Sequence, residues 1–142
     1  MNTRPSKIVC VGRSYAEHAQ ELGNAIPDSP VLFIKPPSSL ISLEDGITWN
    51  KNLGNLHHEC ELTLRLDQPL KNETDPQKAL EAIGAVTLGL DLTLRDLQDS
   101  LKKKGHPWER SKAFDGACVL ADWVEVSEVK AWNAVKFDFQ VN

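Results

Sequence analysis

The stretch LHHECELTLRL (residues 56–66) alternates without a break: His58, Cys60, Leu62, Leu64 and Leu66 fall on one side, His57, Glu59, Glu61, Thr63 and Arg65 on the other. Period-two alternation of this length predicts a β-strand with one apolar face to bury and one polar face. AVTLGLDLT (85–93) repeats the pattern, with Val86, Leu88, Leu90 and Leu92 predicted inward and Thr87, Gly89, Asp91 and Thr93 outward. If the two strands are neighbours, Glu59, Glu61 and Asp91 converge on one polar face.

Working outward, KIVCVG (7–12) and VLFIK (31–35) read as short strands, the second stopped by Pro36 and Pro37. Between them, SYAEHAQELG has Ser14 and Glu17 in capping-box spacing and Gly23 as a terminator, which predicts a two-turn helix. SSLISLEDGITW reads as short strands around an Asp-Gly turn. Asp75 and Pro76 occupy N-cap and N1 positions of a helix predicted through Ile83, and a further helix runs to Lys104, closed by Gly105 and Pro107. Lys102, Lys103 and Lys104 suit the negative end of that helix's dipole. VEVSEV and VKFDFQVN (135–142) read as closing strands. Strands dominate and the helices are short, so the expected class is α+β, predominantly β.

The chain has 142 residues, 41% of them apolar and 25% charged, with a net charge of −4. That is one domain's worth of globular sequence, residues 1–142, with no basic field for nucleic acid or anionic lipid. No signal peptide is read at the N-terminus, and no apolar run approaches the ~18–20 residues that span a bilayer. Cys10, Cys60 and Cys118 are odd in number, widely spaced and set in apolar surroundings. They read as buried small hydrophobes in a reducing compartment, hence a cytoplasmic protein; a catalytic thiol at Cys60 is the competing reading.

Two like charges as close as Glu59 and Glu61 repel, and burying either is costly without something positive nearby. A solvated face, a basic partner or a metal ion would each relieve this. Three carboxylates with open positions suit a hard cation such as Mg²⁺, whereas zinc would favour His and Cys. His58 falls on the apolar face and reads as a core histidine. On the helix read from YAEHAQEL, His18 and Glu21 are three apart and share a face. They form either a surface ion pair or an imidazole whose basicity a carboxylate raises, fit to act as a general base.

Five segments, CVGRSYAEHAQELGN, PVLFIKPPSSLI, LHHECEL, LGLDLTLRDLQ and KKKGHPWERSKAFDGACVL, occur in an order and spacing that resembles the fumarylacetoacetate hydrolase family. The likeness is greatest to its branch of acylpyruvate hydrolases and oxaloacetate decarboxylases or tautomerases, and it runs from residue 7 onward. It implies a mixed β-sheet roll or sandwich with short flanking helices, continuing in the family by about 70 residues past the end of this chain. Residues 1–142 would then be a catalytic domain incomplete at its C-terminus. The family's H-x-E-x-E segment places two metal ligands on Glu59 and Glu61, and its L-D-L-T strand a third on Asp91. Its His–Glu dyad falls on His18 and Glu21 and its active-site lysine on Lys112. Arg95 and Gln98 match family positions near the site, and Lys35 is a further cation suited to bind an anionic substrate. Cys60 stands where an aliphatic residue is usual.

The resemblance further implies Mg²⁺, with Mn²⁺ as the alternative, a small 2-oxo acid as substrate, and a homodimer. Hydrolysis of a C–C bond in an acylpyruvate, releasing pyruvate through a metal-stabilised enolate, is the first expectation. Oxaloacetate decarboxylation or keto–enol tautomerisation at the same site is the second. A non-catalytic fragment that binds metal without turnover is the rival of another class.

Overall fold

The computed structural model describes residues 4–13 and 28–141. The helix predicted over residues 14–23, with His18 and Glu21, lies outside the described residues.

The centre is the antiparallel pair of β4 (Leu56–Leu66) and β5 (Ile83–Leu94), in register along almost its whole length. Glu59 stands opposite Asp91 and Glu61 opposite Gly89, so both glutamates and Asp91 share one face. β3 (Leu40–Ser42) and β6 (Cys118–Leu120) extend the sheet in the order β3-β6-β5-β4, with β3 and β6 parallel and the other pairs antiparallel. The two-residue β7 (Val124–Glu125) pairs with the start of β5. β1 (Ile8–Gly12) and β2 (Val31–Lys35) form a separate antiparallel ribbon. This is the mixed sheet with short helices that the sequence predicts.

Local chemistry sets the helices. Asp75 caps α1 (Pro76–Glu81), its side chain accepting from the Gln77 N–H, with Pro76 inside the first turn. α2 (Arg95–Lys103) leaves directly from β5 and ends before Gly105, whose φ of 65° reverses the chain. α3 (Glu109–Lys112) is a single turn in a region with no periodic sequence signal. The 40–46 segment departs from the hairpin expected there. Ser42 caps a 3₁₀ turn over Leu43–Asp45 with a reciprocal capping box, so only β3 survives as strand.

Burial departs from the expected one-sided pattern of the central pair, because β5 is closed on both faces, with Val86 and Leu92 at 7% and 3% exposure as expected. The residues of β5 predicted outward are sealed: Thr87, Asp91 and Thr93 are 5%, 6% and 0% exposed. On β4 the leucines predicted inward are open, with Leu62, Leu64 and Leu66 at 42%, 45% and 54%. The reason is what packs on each side. The polar face is covered by β2 and α3, whose Lys35 and Lys112 pair with its carboxylates. The leucine face is covered at one end, where Leu43, Ile47 and the 135–141 segment line a hollow over His58, Leu90 and Leu92 and Phe139 lies against His58 at 5.5 Å between ring centroids. That segment has no strand structure, and Val135, Phe137, Phe139 and Val141 remain exposed. The apolar core runs along the length of β5 and onto β6, from Ala82, Ile83, Ala85 and Val86 to Leu92 and Leu94, with Ala117 and Val119 beside them.

Candidate metal centre

Strand register alone brings the first pair together, because Glu59 and Asp91 are direct cross-strand partners on the covered face. Glu61 follows two residues along β4. One carboxylate oxygen from each of Glu59, Glu61 and Asp91 lies within 4.8 Å of the others. Three carboxylates this close, all at least partly withdrawn from water, cannot remain ionised without positive charge.

Two of the three have it. Lys112, at the end of α3 and 3% exposed, places Nζ 2.9 Å from Glu59 Oε2 and 2.6 Å from Asp91 Oδ2. Arg95, the first residue of α2, reaches Glu59 Oε1 with Nη2 and donates from Nη1 to Gln98 Oε1 at 2.7 Å. Gln98, one turn further and 3% exposed, thus orients the guanidinium. Arg95 Nε is buried with no partner of its own among the described residues. On the opposite side of Asp91, Lys35 Nζ stands 2.8 Å from Oδ1, though without the alignment of a hydrogen bond. The ammonium of Lys35, expected from its charge to bind an anionic substrate, lies beneath the carboxylates at 1% exposure.

Glu61 has no cation among the described residues. Burial, then Asp91 and Glu59, push its carboxyl up to about 7. Glu59 goes the other way. Burial pushes it up, but the charge and hydrogen bond of Lys112, with those of Arg95, hold it below the ordinary carboxylate range. The asymmetry is the test of fit for a metal ion. The donor set is all oxygen, which suits a hard divalent cation, and one ligand, Glu61, is left with no protein cation among the described residues to pair its charge.

The thiols do not compete for this role. Burial above all pushes Cys10 up to about 12 and Cys118 up to about 11, and raises Cys60 with help from Glu61. None is disposed to form a thiolate.

The structure thus gathers Glu59, Glu61, Asp91, Lys112, Arg95, Gln98 and Lys35 into one cluster. Phe33 and Trp108 belong beside it, and sequence reasoning missed both. Lys112 Nζ lies 5.3 Å over the Phe33 ring, and Phe33 packs against Trp108 at 6.2 Å. Phe33 alternates with Lys35 on β2, so a shared face was the available signal.

Known proteins carry the same arrangement of sequence. The family Fumarylacetoacetate (FAA) hydrolase C-terminal matches residues 7–142. The chain is 43% identical over 123 residues to the oxaloacetate tautomerase YcgM of Escherichia coli, covering 87% of this chain and 56% of that protein. It is 40% identical over 137 residues to the mitochondrial oxaloacetate tautomerase fahd-1 of Caenorhabditis elegans, covering 96% and 64%. It therefore spans less than two thirds of the length of these relatives. Among solved structures, fumarylpyruvate hydrolase from Pseudomonas aeruginosa in complex with Mn²⁺ and pyruvate superposes with a TM-score of 0.76 at 30% identity, over 87% of this chain and 55% of that one. With the family matched along nearly its whole length, and with this fold and this acidic cluster, the chain belongs to the fumarylacetoacetate hydrolase family.

Proposed function

We propose that the chain carries the metal-binding and electrostatic part of a site that interconverts the keto and enol forms of a 2-oxo dicarboxylic acid, oxaloacetate being the type substrate. The observation that carries this is the charge balance of the cluster. Three carboxylates, Glu59, Glu61 and Asp91, face three cations, Lys35, Lys112 and Arg95, so the protein groups alone are close to neutral. A divalent ion, Mg²⁺ or Mn²⁺, held by the three carboxylates adds two positive charges, which matches a dianionic substrate. When bound, that ion draws electron density from the 2-oxo group and stabilises the enolate.

The chain's own residues supply the rest. Lys112 and Arg95 offer positive charge where oxyanion character develops, in a setting that is largely closed to water. Arg95 Nε is a donor without a partner among the described residues and suits a substrate carboxylate. Gln98 holds the guanidinium in place for that contact. His18, with Glu21 three residues on, is assigned the proton at C3. The imidazole removes it, the electron pair moves to the 2-oxo oxygen, and protonation of that oxygen gives the enol. The names of the two relatives above support this reaction.

Hydrolysis of an acylpyruvate is the second reading, favoured by the fumarylpyruvate hydrolase neighbour. It forms the same enolate, but needs a water activated by His18 as well. Stopped-flow ultraviolet spectroscopy of oxaloacetate enol decay, with and without Mg²⁺, tests the first reading, and acetylpyruvate consumption tests the second. Metal-dependent acceleration of the enol–keto exchange, abolished in Asp91→Asn, is the expected result. Acetylpyruvate cleavage without any effect on enol decay would reverse the order of the two. Absence of both reactions, with metal bound, would leave the chain a metal-binding piece.

A further inference from the structure

Lys35 ends β2, immediately before Pro36 and Pro37. Its side chain is 1% exposed, and Nζ donates to three backbone carbonyls: Leu92 at 3.4 Å, Ala117 at 2.9 Å and Lys112. An ammonium has three protons, so these acceptors use them all, and Asp91 Oδ1 is held by charge alone. No donor remains for a ligand.

The three carbonyls have a common meaning. Leu92 follows Asp91 on β5, Lys112 is the residue whose own Nζ bridges Glu59 and Asp91, and Ala117 closes the turn that leads from α3 into β6. The Ala117 carbonyl also accepts from the Leu92 N–H at 3.0 Å. One buried cation therefore ties β5, the end of α3 and the turn before β6 to a single point. It also fixes the rotation of the Asp91 carboxylate, leaving Oδ2 on the side of Glu59, where Lys112 meets both.

We propose that Lys35 is a positioning residue, which sets Asp91 and Lys112 against each other for metal binding and does not touch substrate. The inference rests on the metal-centred reading above. It makes a prediction opposite in sign to simple electrostatics. If the charge of Lys35 were its whole effect, removing it would strengthen binding of a divalent ion, because one competing cation would be gone. If Lys35 orients a ligand, removing it weakens binding, as loss of outer partners of metal ligands does, by about 10–100-fold. A substrate contact would leave metal affinity unchanged and raise KM.

The experiment is a titration of Mn²⁺, followed by the electron paramagnetic resonance signal of the free ion, without substrate. Wild type, Lys35→Met and Lys35→Gln are compared. Wild-type binding judges the metal-centred reading; the ratio between variants judges the inference. Mn²⁺ affinity about tenfold or more weaker in Lys35→Met, partly restored in Lys35→Gln, whose amide returns two N–H donors without charge, is the expected result. Equal or tighter binding in Lys35→Met overturns the proposal. Should Lys35→Met lose its cooperative unfolding transition, Lys35→Gln decides alone: weaker binding supports positioning, unchanged or tighter binding refutes it. The sealed ammonium is also read directly in the metal-free wild type. A slowly exchanging lysine NH₃⁺ resonance, absent from Lys35→Gln, is expected, and its absence from the wild type would overturn the claim that the side chain is committed to protein acceptors.

Discussion

The two faces of the β4–β5 pair are filled on opposite principles. On one face, Thr87, Asp91 and Thr93 of β5 are nearly dry, and Glu59 and Glu61 of β4 are partly withdrawn from water, under β2 and α3. On the other, a row of leucines on β4 stands half open to water. Hydrophobicity alone would place them the other way round. The arrangement holds because each carboxylate on the dry face except Glu61 is matched by a cation from a different element, so desolvation is offset by pairing. The dry face is thus specified by long-range charge pairs, and the open face by nothing but its pattern. Perturbing the two should have very different consequences.

Asp91→Ala is the heaviest blow to the dry face. It leaves Lys35 and Lys112, 1% and 3% exposed, without their shared counter-charge. Removing one partner of a buried pair costs about 3–5 kcal/mol. Urea unfolding of the metal-free protein should show a loss of this size. A loss below about 1 kcal/mol, the range of exposed pairs, would mean that water already reaches the two ammonium groups.

Gly89→Val tests the packing of the same face without touching a charge. Gly89 stands opposite Glu61, and a Cβ there would come within 2.6 Å of Thr63 Oγ1 and 3.0 Å of Leu120 Cδ2. The valine must displace both neighbours, at about 1–3 kcal/mol. Mn²⁺ binding should weaken as Glu61 is pushed aside, while a variant as stable and as tight-binding as wild type would show that the cross-strand space is not needed.

Glu61→Gln tests the one unmatched charge. The folded carboxyl, at about 7, lies above its ordinary 4.5, so the folded protein holds a proton that the unfolded chain releases between those values. Stability of the metal-free protein must therefore fall as pH rises from about 4.5 to about 7, and level off above. The glutamine variant lacks this loss. It should match wild type near pH 4.5 and exceed it at pH 8 by about 1–2 kcal/mol, a figure reduced for partial solvent screening. A wild-type stability that rises across that window would show that Glu61 is paired.

Much of this is legible in the sequence, and the limits follow from what alternation encodes. Alternation tells which residues within 56–66 and 85–93 share a face, and so sets Glu59 beside Glu61; that Asp91 joins them depends on the pairing of the two strands, which the structure supplies. It cannot tell which face is covered, because the cover comes from residues far away in the chain. The contact between Lys35 and Asp91 joins distant segments, and VLFIK reads only as a strand with a charged end. α3 is invisible because one turn has no period to detect. The alternating 135–141 segment fails as a strand for a related reason: the pattern shows an apolar side, but a strand also needs a neighbour to take its hydrogen bonds. Caps fare better, since Asp75 and Gly105 act on residues beside them.

The smallest effect belongs to the open face. Leu64→Thr puts in a β-branched, strand-compatible side chain and removes an apolar surface that is already 45% exposed. Leu64 stands opposite Val86, which is 7% exposed and keeps its other packing around the core. Little desolvation is lost, since a half-open leucine has gained only part of its transfer free energy, and the threonine hydroxyl is free to reach water. The expected change is within about 0.5 kcal/mol, the range of surface substitutions, with Mn²⁺ affinity unaltered because the metal ligands lie on the opposite side of the sheet. Sedimentation velocity run on both proteins sharpens the reading. If the leucine row is water-exposed as the structure shows, the variant should be as stable as wild type and no more associated. If Leu64→Thr instead costs about 2 kcal/mol or more, the scale of a buried leucine, in an oligomeric wild type and dissociates it, the row is buried between chains, and the contrast between a dry face and an open one would hold only for the isolated chain.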